Sequence, residues 1–307
     1  MATGRVLVSG VSGPIGSALL PRLRDEGYEV VRLVRGIHPP LKRSGAPQVE
    51  TQMTWDPENV VDPASVVGFN AVIHLAGETI VGRWTDAKKR RIHESRAAGT
   101  RNLANALAKA AQKPRVFISA SAIGFYGDRG DELLREDSSS GHDFLSAVCR
   151  DWEANTQAAA QAGIRTVQTR FGLILSRDGG ALPKMLPPFR MGMGGNMGNG
   201  RQWWSWIHIE DVVRGILHVM NKDGVQGPVN FVAPNPVTNA VFTKVLAAVL
   251  HRPAPFPVPA FAARLAFGQM ADELLLGSQR VEPARLLASG YAFTYTDLRQ
   301  ALEKLLG

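Results

Sequence analysis

The chain has 307 residues, 45% hydrophobic and 20% charged, with 35 Lys and Arg against 27 Asp and Glu for a formal net charge of +8. That is too apolar for a disordered chain, and the 31 Gly and 19 Pro follow no collagen-like repeat. The single cysteine, Cys149, excludes an internal disulfide and points to a reducing, cytoplasmic compartment, while the positive balance favours an anionic ligand.

Residues 5–9 read as a short strand, Gly10, Gly13 and Gly16 as a turn, and Ile15, Leu19, Leu20 and Leu23 as one face of a helix that Gly27 ends. The same glycines and Pro14 interrupt what would otherwise resemble the apolar core of a signal peptide. A strand over 29–34 completes a β-α-β unit. Residues 49–54 are a weaker strand. Residues 71–76 are a strong one, with the nearly continuous apolar run of a parallel strand covered on both faces. A long helix over 86–110 leads into a strand over 116–119. A single helix over 143–162, closed by Gly163, leads into a strand over 166–169. This alternation predicts an α/β fold: a Rossmann-type doubly wound parallel sheet over 1–233, followed by a smaller, mostly helical region over 234–307. Pro183, Pro187 and Pro188, followed by five glycines between 192 and 200, predict a long irregular, lid-like insertion at about 180–205. Regular structure is expected again over 206–221, 229–232 and 238–250, before a proline-rich linker over 253–259. No run approaches the roughly 18 unbroken apolar residues of a membrane-spanning helix, so no membrane association is expected.

Between a first strand and a first helix, a tight turn, close approach of a ligand to backbone and close helix packing each exclude a Cβ, which accounts for Gly10, Gly13 and Gly16. The backbone around Ser12, Gly13 and Ile15 then presents free N–H groups of the helix start to a pyrophosphate. Pro14 suits that first turn, where its missing N–H costs no bond. A tight structural turn without ligand is the alternative. About twenty residues beyond such a turn an acidic residue usually holds the ribose of NAD. Arg35 stands at that point, and a guanidinium there pairs a 2′-phosphate, so NADP(H) is expected in preference to NAD(H), with Lys42 and Arg43 assisting. The alternative is a surface arginine serving solubility.

Several segments now resemble the extended short-chain dehydrogenase/reductase superfamily, in its nucleotide-sugar epimerase branch. They are Ser9-Gly10 with the glycine spacing, Leu75-Ala76-Gly77 at the end of the fourth strand, residues 119–127 (SASAIGFYG) and residues 208–211. Arg83-Trp84-Thr85, Ser95-Arg96, 144–153 (FLSAVCRDWE), 200–211 (GRQWWSWIHIED), 233–239 (APNPVTN) and 270–281 (MADELLLGSQRV) narrow the similarity to the atypical "epimerase family protein" subgroup with a small C-terminal domain. The resemblance implies that Leu75, Ala76, Gly77 and Ser119 border the cofactor. It also implies an acid/base Tyr with a Lys four residues later on one helical face, yet no Tyr-x-x-x-Lys occurs in the chain. Laid on the superfamily pattern, Leu145 falls at the Tyr position and Cys149 at the Lys position. Arg96 falls where an active-site Asn is common, which puts a cation near the cofactor pocket.

Ser121 is the best match to the superfamily's substrate-binding serine, although a gapless count from Tyr126-Gly127 lands on Ala122. Its alternative is a turn-forming serine. Tyr126 is a substitute acid or a packed ring, and Glu78 a base or an exposed loop carboxylate. Cys149 is read as a small buried apolar residue rather than a nucleophile. Trp203, Trp204 and Trp206 either anchor the preceding loop in the core or, with Trp204 and Arg201 foremost, wall a planar or sugar substrate. His208 and Asp211 lack further ligands nearby, so no metal is expected. The seven Lys and Arg between Arg83 and Arg101 read as a solvated helix face, and no nucleic-acid partner is expected. Two functions remain open. One is an NADP(H)-dependent oxidoreductase or epimerase-like enzyme acting on a small polar molecule, a nucleotide sugar being one option. The other is a non-catalytic NADP(H)-binding sensor or regulatory protein. The oligomeric state is left open, a dimer being one option.

Overall fold

The computed structural model describes residues 4–36 and 51–307; the expected contribution of Lys42 and Arg43 lies outside the described residues. The first unit contains strands β1 (Gly4–Ser9), β2 (Tyr28–Arg35), β3 (Thr51–Trp55), β4 (Ala71–His74), β5 (Val116–Ala122), β6 (Arg165–Phe171) and β7 (Gly227–Phe231). Its helices are α1 (Pro14–Asp25), α2 (Asp86–Lys109), α3 (Phe144–Ala154), α4 (Gln157–Gln161), α5 (Leu182–Arg190) and α6 (Ile209–Asn221). The strands form one seven-stranded sheet in the order β7-β6-β5-β4-β1-β2-β3, every pair parallel. Chain order reverses between β1 and β4, and the crevice beyond the strand ends at such a reversal is where doubly wound sheets bind ligands.

Strand alternation feeds two apolar layers. Val6 and Val8 of β1 join Leu19 and Leu23 of α1 and Val212 and Ile216 of α6 on one face. Leu7 joins Leu103 and Leu107 of α2 and Ala159 of α4 on the other.

Three expectations are corrected. The single helix over 143–162 is two helices, because Asn155 Nδ2 donates to the Asp151 carbonyl and the Thr156 hydroxyl to the Glu153 carbonyl, ending α3 locally. Part of the segment read as an irregular insertion is helical: α5 tolerates Pro183 in its first turn, and Leu182, Leu186 and Phe189 bury one face. Leu75-Ala76-Gly77 follows β4, which ends at His74.

The C-terminal region contains α7 (Asn239–Val249), α8 (Ala260–Phe267), a π-helical turn Ala271–Leu276, α9 (Ala284–Ala288) and α10 (Leu298–Leu306). Phe242 and Leu246 of α7 and Leu302 of α10 share one apolar cluster with the buried residues of α5 and with Trp204 and Trp206. A polar tie adds to it. Asp211, fully buried at the start of α6, accepts bonds from the Tyr291 hydroxyl (3.0 Å) and the backbone N–H groups of Thr294 and Tyr295 (2.8 Å each).

Candidate functional site

The β1–α1 turn has three glycines with distinct reasons. Gly10 has φ +70°, and a Cβ on it would fall 2.5 Å from the carbonyl carbon of Leu75. A Cβ on Gly16 would fall 2.5 Å from the Gly10 carbonyl oxygen. Protein packing therefore demands both. Gly13 differs: its φ is −77°, and a Cβ there would meet only the Gly10 oxygen, at 3.4 Å. No other described residue comes within 4 Å of that position. Gly13 caps α1 without any side-chain bond to the helix's first N–H groups, Pro14 occupies the first turn, Ser12 is exposed and Ile15 half-buried. A bare, uncapped helix start of this kind fits a diphosphate, which its partial positive charge attracts.

Arg35 is exposed at the end of β2. Glu78, three residues past Leu75, receives a 2.7 Å bond from Lys88 Nζ, and its backbone N–H donates to Ser95 Oγ. The Lys88 hydrogen bond, against some opposition from burial, holds the Glu78 carboxyl below its ordinary range, with Arg91 and Arg35 adding to the effect. A carboxylate so stabilised is a poor base at neutral pH.

At the floor of the crevice, Ser9 Oγ lies 2.7 Å from His74 Nδ1 and accepts the Leu75 N–H at 3.2 Å, which ties the end of β1 to the chain leaving β4. His74 is fully buried, edge-on to Trp55, and burial pushes its pKa down to about 4, so it is neutral. Ser119, buried on β5, donates a long 3.4 Å bond to the Ala120 carbonyl.

Around the acid/base position of the superfamily, the side chains are apolar or inert. Leu145 and Cys149 are buried on α3, and burial, then Glu153, pushes the Cys149 thiol up to about 12. Ser121 and Tyr126 are brought together only indirectly. The Ser121 hydroxyl donates to Glu153 Oε1 (2.6 Å), and Glu153 binds Arg170 through both carboxylate oxygens at 2.8 Å. Arg170 Nη1 donates to the Tyr126 hydroxyl (2.9 Å), which donates to Asn230 Oδ1 (2.7 Å). The guanidinium carbon also stands 3.6 Å from the Phe125 ring centroid. Tyr126 is fully buried, and burial, despite Arg170, pushes its pKa up to about 12. A phenol with both hydrogen-bonding roles filled inside the core has the setting of the packed ring, one of the two readings open for Tyr126, rather than of the substitute acid. Sequence reasoning missed Glu153 as the partner of Ser121; the available signal was its place one turn beyond Cys149 on α3.

The tryptophans chiefly anchor. Trp204 is buried edge-on to Phe242, Trp206 is fully buried with Nε1 donating to the Asn235 carbonyl, and Trp203 Nε1 donates to Asp131. Trp204 thus belongs to the core, and Arg201 is exposed. His208 Nδ1 accepts the Glu210 N–H and caps α6. Among the described residues, no group of three or more His, Cys, Asp or Glu could hold a metal ion, and no helix is long and apolar enough to cross a membrane.

The profile of the NAD dependent epimerase/dehydratase family matches residues 6–232, and that of a domain of unknown function, DUF1731, matches residues 258–305. With the sheet order and glycine turn above, the chain belongs to the NAD dependent epimerase/dehydratase family and has its nucleotide-binding fold. Within that family it is similar to proteins named epimerase family proteins. Mb2239 of Mycobacterium bovis is 40% identical over 304 residues (98% of this chain, 97% of the relative), and YfhF of Bacillus subtilis 38% over 302 residues (98% and 97%). The crystal structure of human epimerase family protein SDR39U1 (isoform 2) with NADPH matches with a TM-score of 0.88 at 35% identity, covering 98% of both chains. The nucleoside-diphosphate sugar epimerase from Corynebacterium glutamicum matches with 0.80 at 39%, covering 99% of this chain and 58% of that one.

Proposed function

We propose that this protein binds NADP(H) in preference to NAD(H) at the β1–α1 turn and acts as an oxidoreductase or epimerase-like enzyme on a small polar molecule, with a nucleotide sugar as one such substrate. The observation that carries this reading is the space at Gly13, which the described residues leave open at a helix start without a side-chain cap. Gly10, Ser12, Gly13, Ile15 and Gly16 would hold the diphosphate, Arg35 the 2′-phosphate, and Leu75, Ala76, Gly77 and Ser119 would border the remainder. The exposed guanidinium of Arg35 and the NADPH in the human relative's structure support the choice of NADP(H).

When bound, this cofactor supplies or accepts hydride. The chain's own residues position and exclude. The Ser121 hydroxyl donates its hydrogen bond to Glu153, which leaves its oxygen lone pairs to accept from a substrate hydroxyl. Tyr126 acts from behind, as a prop for Arg170. With Glu78 held ionised by Lys88 and Leu145 and Cys149 inert, the proton is exchanged with water. That same pair of inert residues favours the second reading, a non-catalytic NADP(H)-dependent sensor or regulator.

A single-turnover assay of NADPH oxidation across carbonyl compounds and nucleotide sugars separates the two. Oxidation with any of them supports the enzyme; silence across the panel, with NADPH binding intact, transfers the reading to the sensor. The reduced lone thiol supports a cytoplasmic setting. Family profiles that end at 232 and begin at 258 support a division into 1–233 and 234–307.

A further inference from the structure

Leu145, Cys149 and Glu153 lie at successive turns of α3, so this helix brings no cation to the stripe where the superfamily pattern has lysine. A cation reaches the same neighbourhood from α2. The guanidinium carbon of Arg96 stands 4.9 Å from the Trp152 ring centroid, one helical turn from Cys149. It also lies against the chain that leaves β4: a Cβ on Gly77 would be 3.2 Å from Arg96 Cζ and 3.3 Å from Nη2. Gly77 thus exposes bare backbone where the cation arrives.

Arg96 is under-partnered. Its hydrogen bond among the described residues runs from Nη1 to the Ile92 carbonyl at 3.0 Å, which uses one of five N–H donors. It makes no ion pair with any described residue; nearby Glu78 is bound to Lys88. Cys149 offers no countercharge, since burial keeps its thiol protonated. A part-buried guanidinium without an anion is costly, and ligand oxygens that reach it gain charge-assisted, directional bonds.

We propose that Arg96 is the cofactor-positioning cation of this protein, supplied from α2 beside Cys149, and that its free N–H donors bind oxygens of the nicotinamide half of NADP(H). This rests on the NADP(H) reading above. The competing role is purely structural, a staple of α2 to α3 through Trp152.

Calorimetry with two ligands separates these roles. NADPH carries the nicotinamide half, whereas adenosine 2′,5′-bisphosphate has the adenine and 2′-phosphate without it. Arg96→Gln should weaken NADPH by roughly tenfold or more while leaving the bisphosphate within about twofold of wild type, and Arg96→Lys should recover most of the loss. Equal weakening of both ligands, or unchanged NADPH affinity, overturns the proposal. If Arg96→Gln does not fold, Arg96→Lys reads the same split: a loss of roughly threefold confined to NADPH supports the assignment, and any other pattern overturns it. A folded wild type that binds neither ligand overturns the NADP(H) reading and this inference together, whereas binding of both with no selective loss sinks only the inference.

Discussion

Gly10 in the first turn and Leu75 after β4 are in backbone contact, so close that a Cβ on Gly10 would sit 2.5 Å from the Leu75 carbonyl carbon. Through it the turn is pinned to the neighbouring strand end, while a Cβ on Gly13 three residues later would meet, among the described residues, only the Gly10 oxygen at 3.4 Å. Gly10→Ala, at φ +70° and against backbone, should cost about 3 kcal/mol or more of stability. Gly13→Ala should cost less than about 1 kcal/mol yet weaken NADPH by roughly tenfold, as its methyl takes the ligand's space. Chemical denaturation and calorimetry on the two variants read this contrast.

Asp211 joins the sheet unit to the C-terminal region. Asp211→Ala leaves the Thr294 and Tyr295 N–H groups without their acceptor, while the Tyr291 hydroxyl keeps only the Asp211 backbone carbonyl at 2.9 Å, and should destabilise by about 3 kcal/mol. Limited proteolysis should cut first near residues 291–297. A melting temperature equal to wild type would contradict the role.

Tyr126 offers a test of framework against chemistry. Tyr126→Phe strands Asn230 Oδ1 and removes one acceptor of Arg170, so stability should fall by about 1–2 kcal/mol. NADPH affinity, and any turnover found, should change by less than about threefold; the roughly hundredfold loss typical of a missing acid would restore Tyr126 to catalysis.

His74 should make stability depend on pH. Its pKa is depressed from 6.5 to about 4 by burial, so between those values the unfolded chain binds a proton that the folded chain refuses. Stability from this group is full above pH 6.5 and is lost as pH falls towards 4, on the order of 3 kcal/mol in all. Urea denaturation at a series of pH values should show His74→Gln with a slope shallower by about 1.4 kcal/mol per pH unit across that window. Equal slopes would contradict it.

The alternating strands and the glycine turn were legible because both are local signals: apolar runs a few residues long and small residues at fixed offsets. Helix α5 was not. Pro187 and Pro188 read as breakers, and what holds the helix is distant packing of Leu182, Leu186 and Phe189 against Phe242 and Leu246. The break between α3 and α4 depends on side-chain bonds of Asn155 and Thr156, which no apolar periodicity encodes. In the candidate site, the positions of Arg35 at the end of β2 and of Gly13 in the turn after β1 were readable from local pattern. The fate of Ser121 and Tyr126 was not, since Glu153, Arg170 and Asn230 reach them from three separate elements. Trp204 was ambiguous from its neighbours alone, and its packing against Phe242 is visible only in the fold.

Titration calorimetry of the purified protein with NADPH and with NADH, repeated on Arg35→Ala, bears most directly on the function proposed. Wild type should bind NADPH roughly tenfold or more tighter than NADH, from the about 1.5–3 kcal/mol of a charge-assisted contact to the 2′-phosphate, and Arg35→Ala should bind the two alike. Equal affinities in wild type would remove Arg35 from the site, and no heat with either nucleotide would contradict dinucleotide binding altogether.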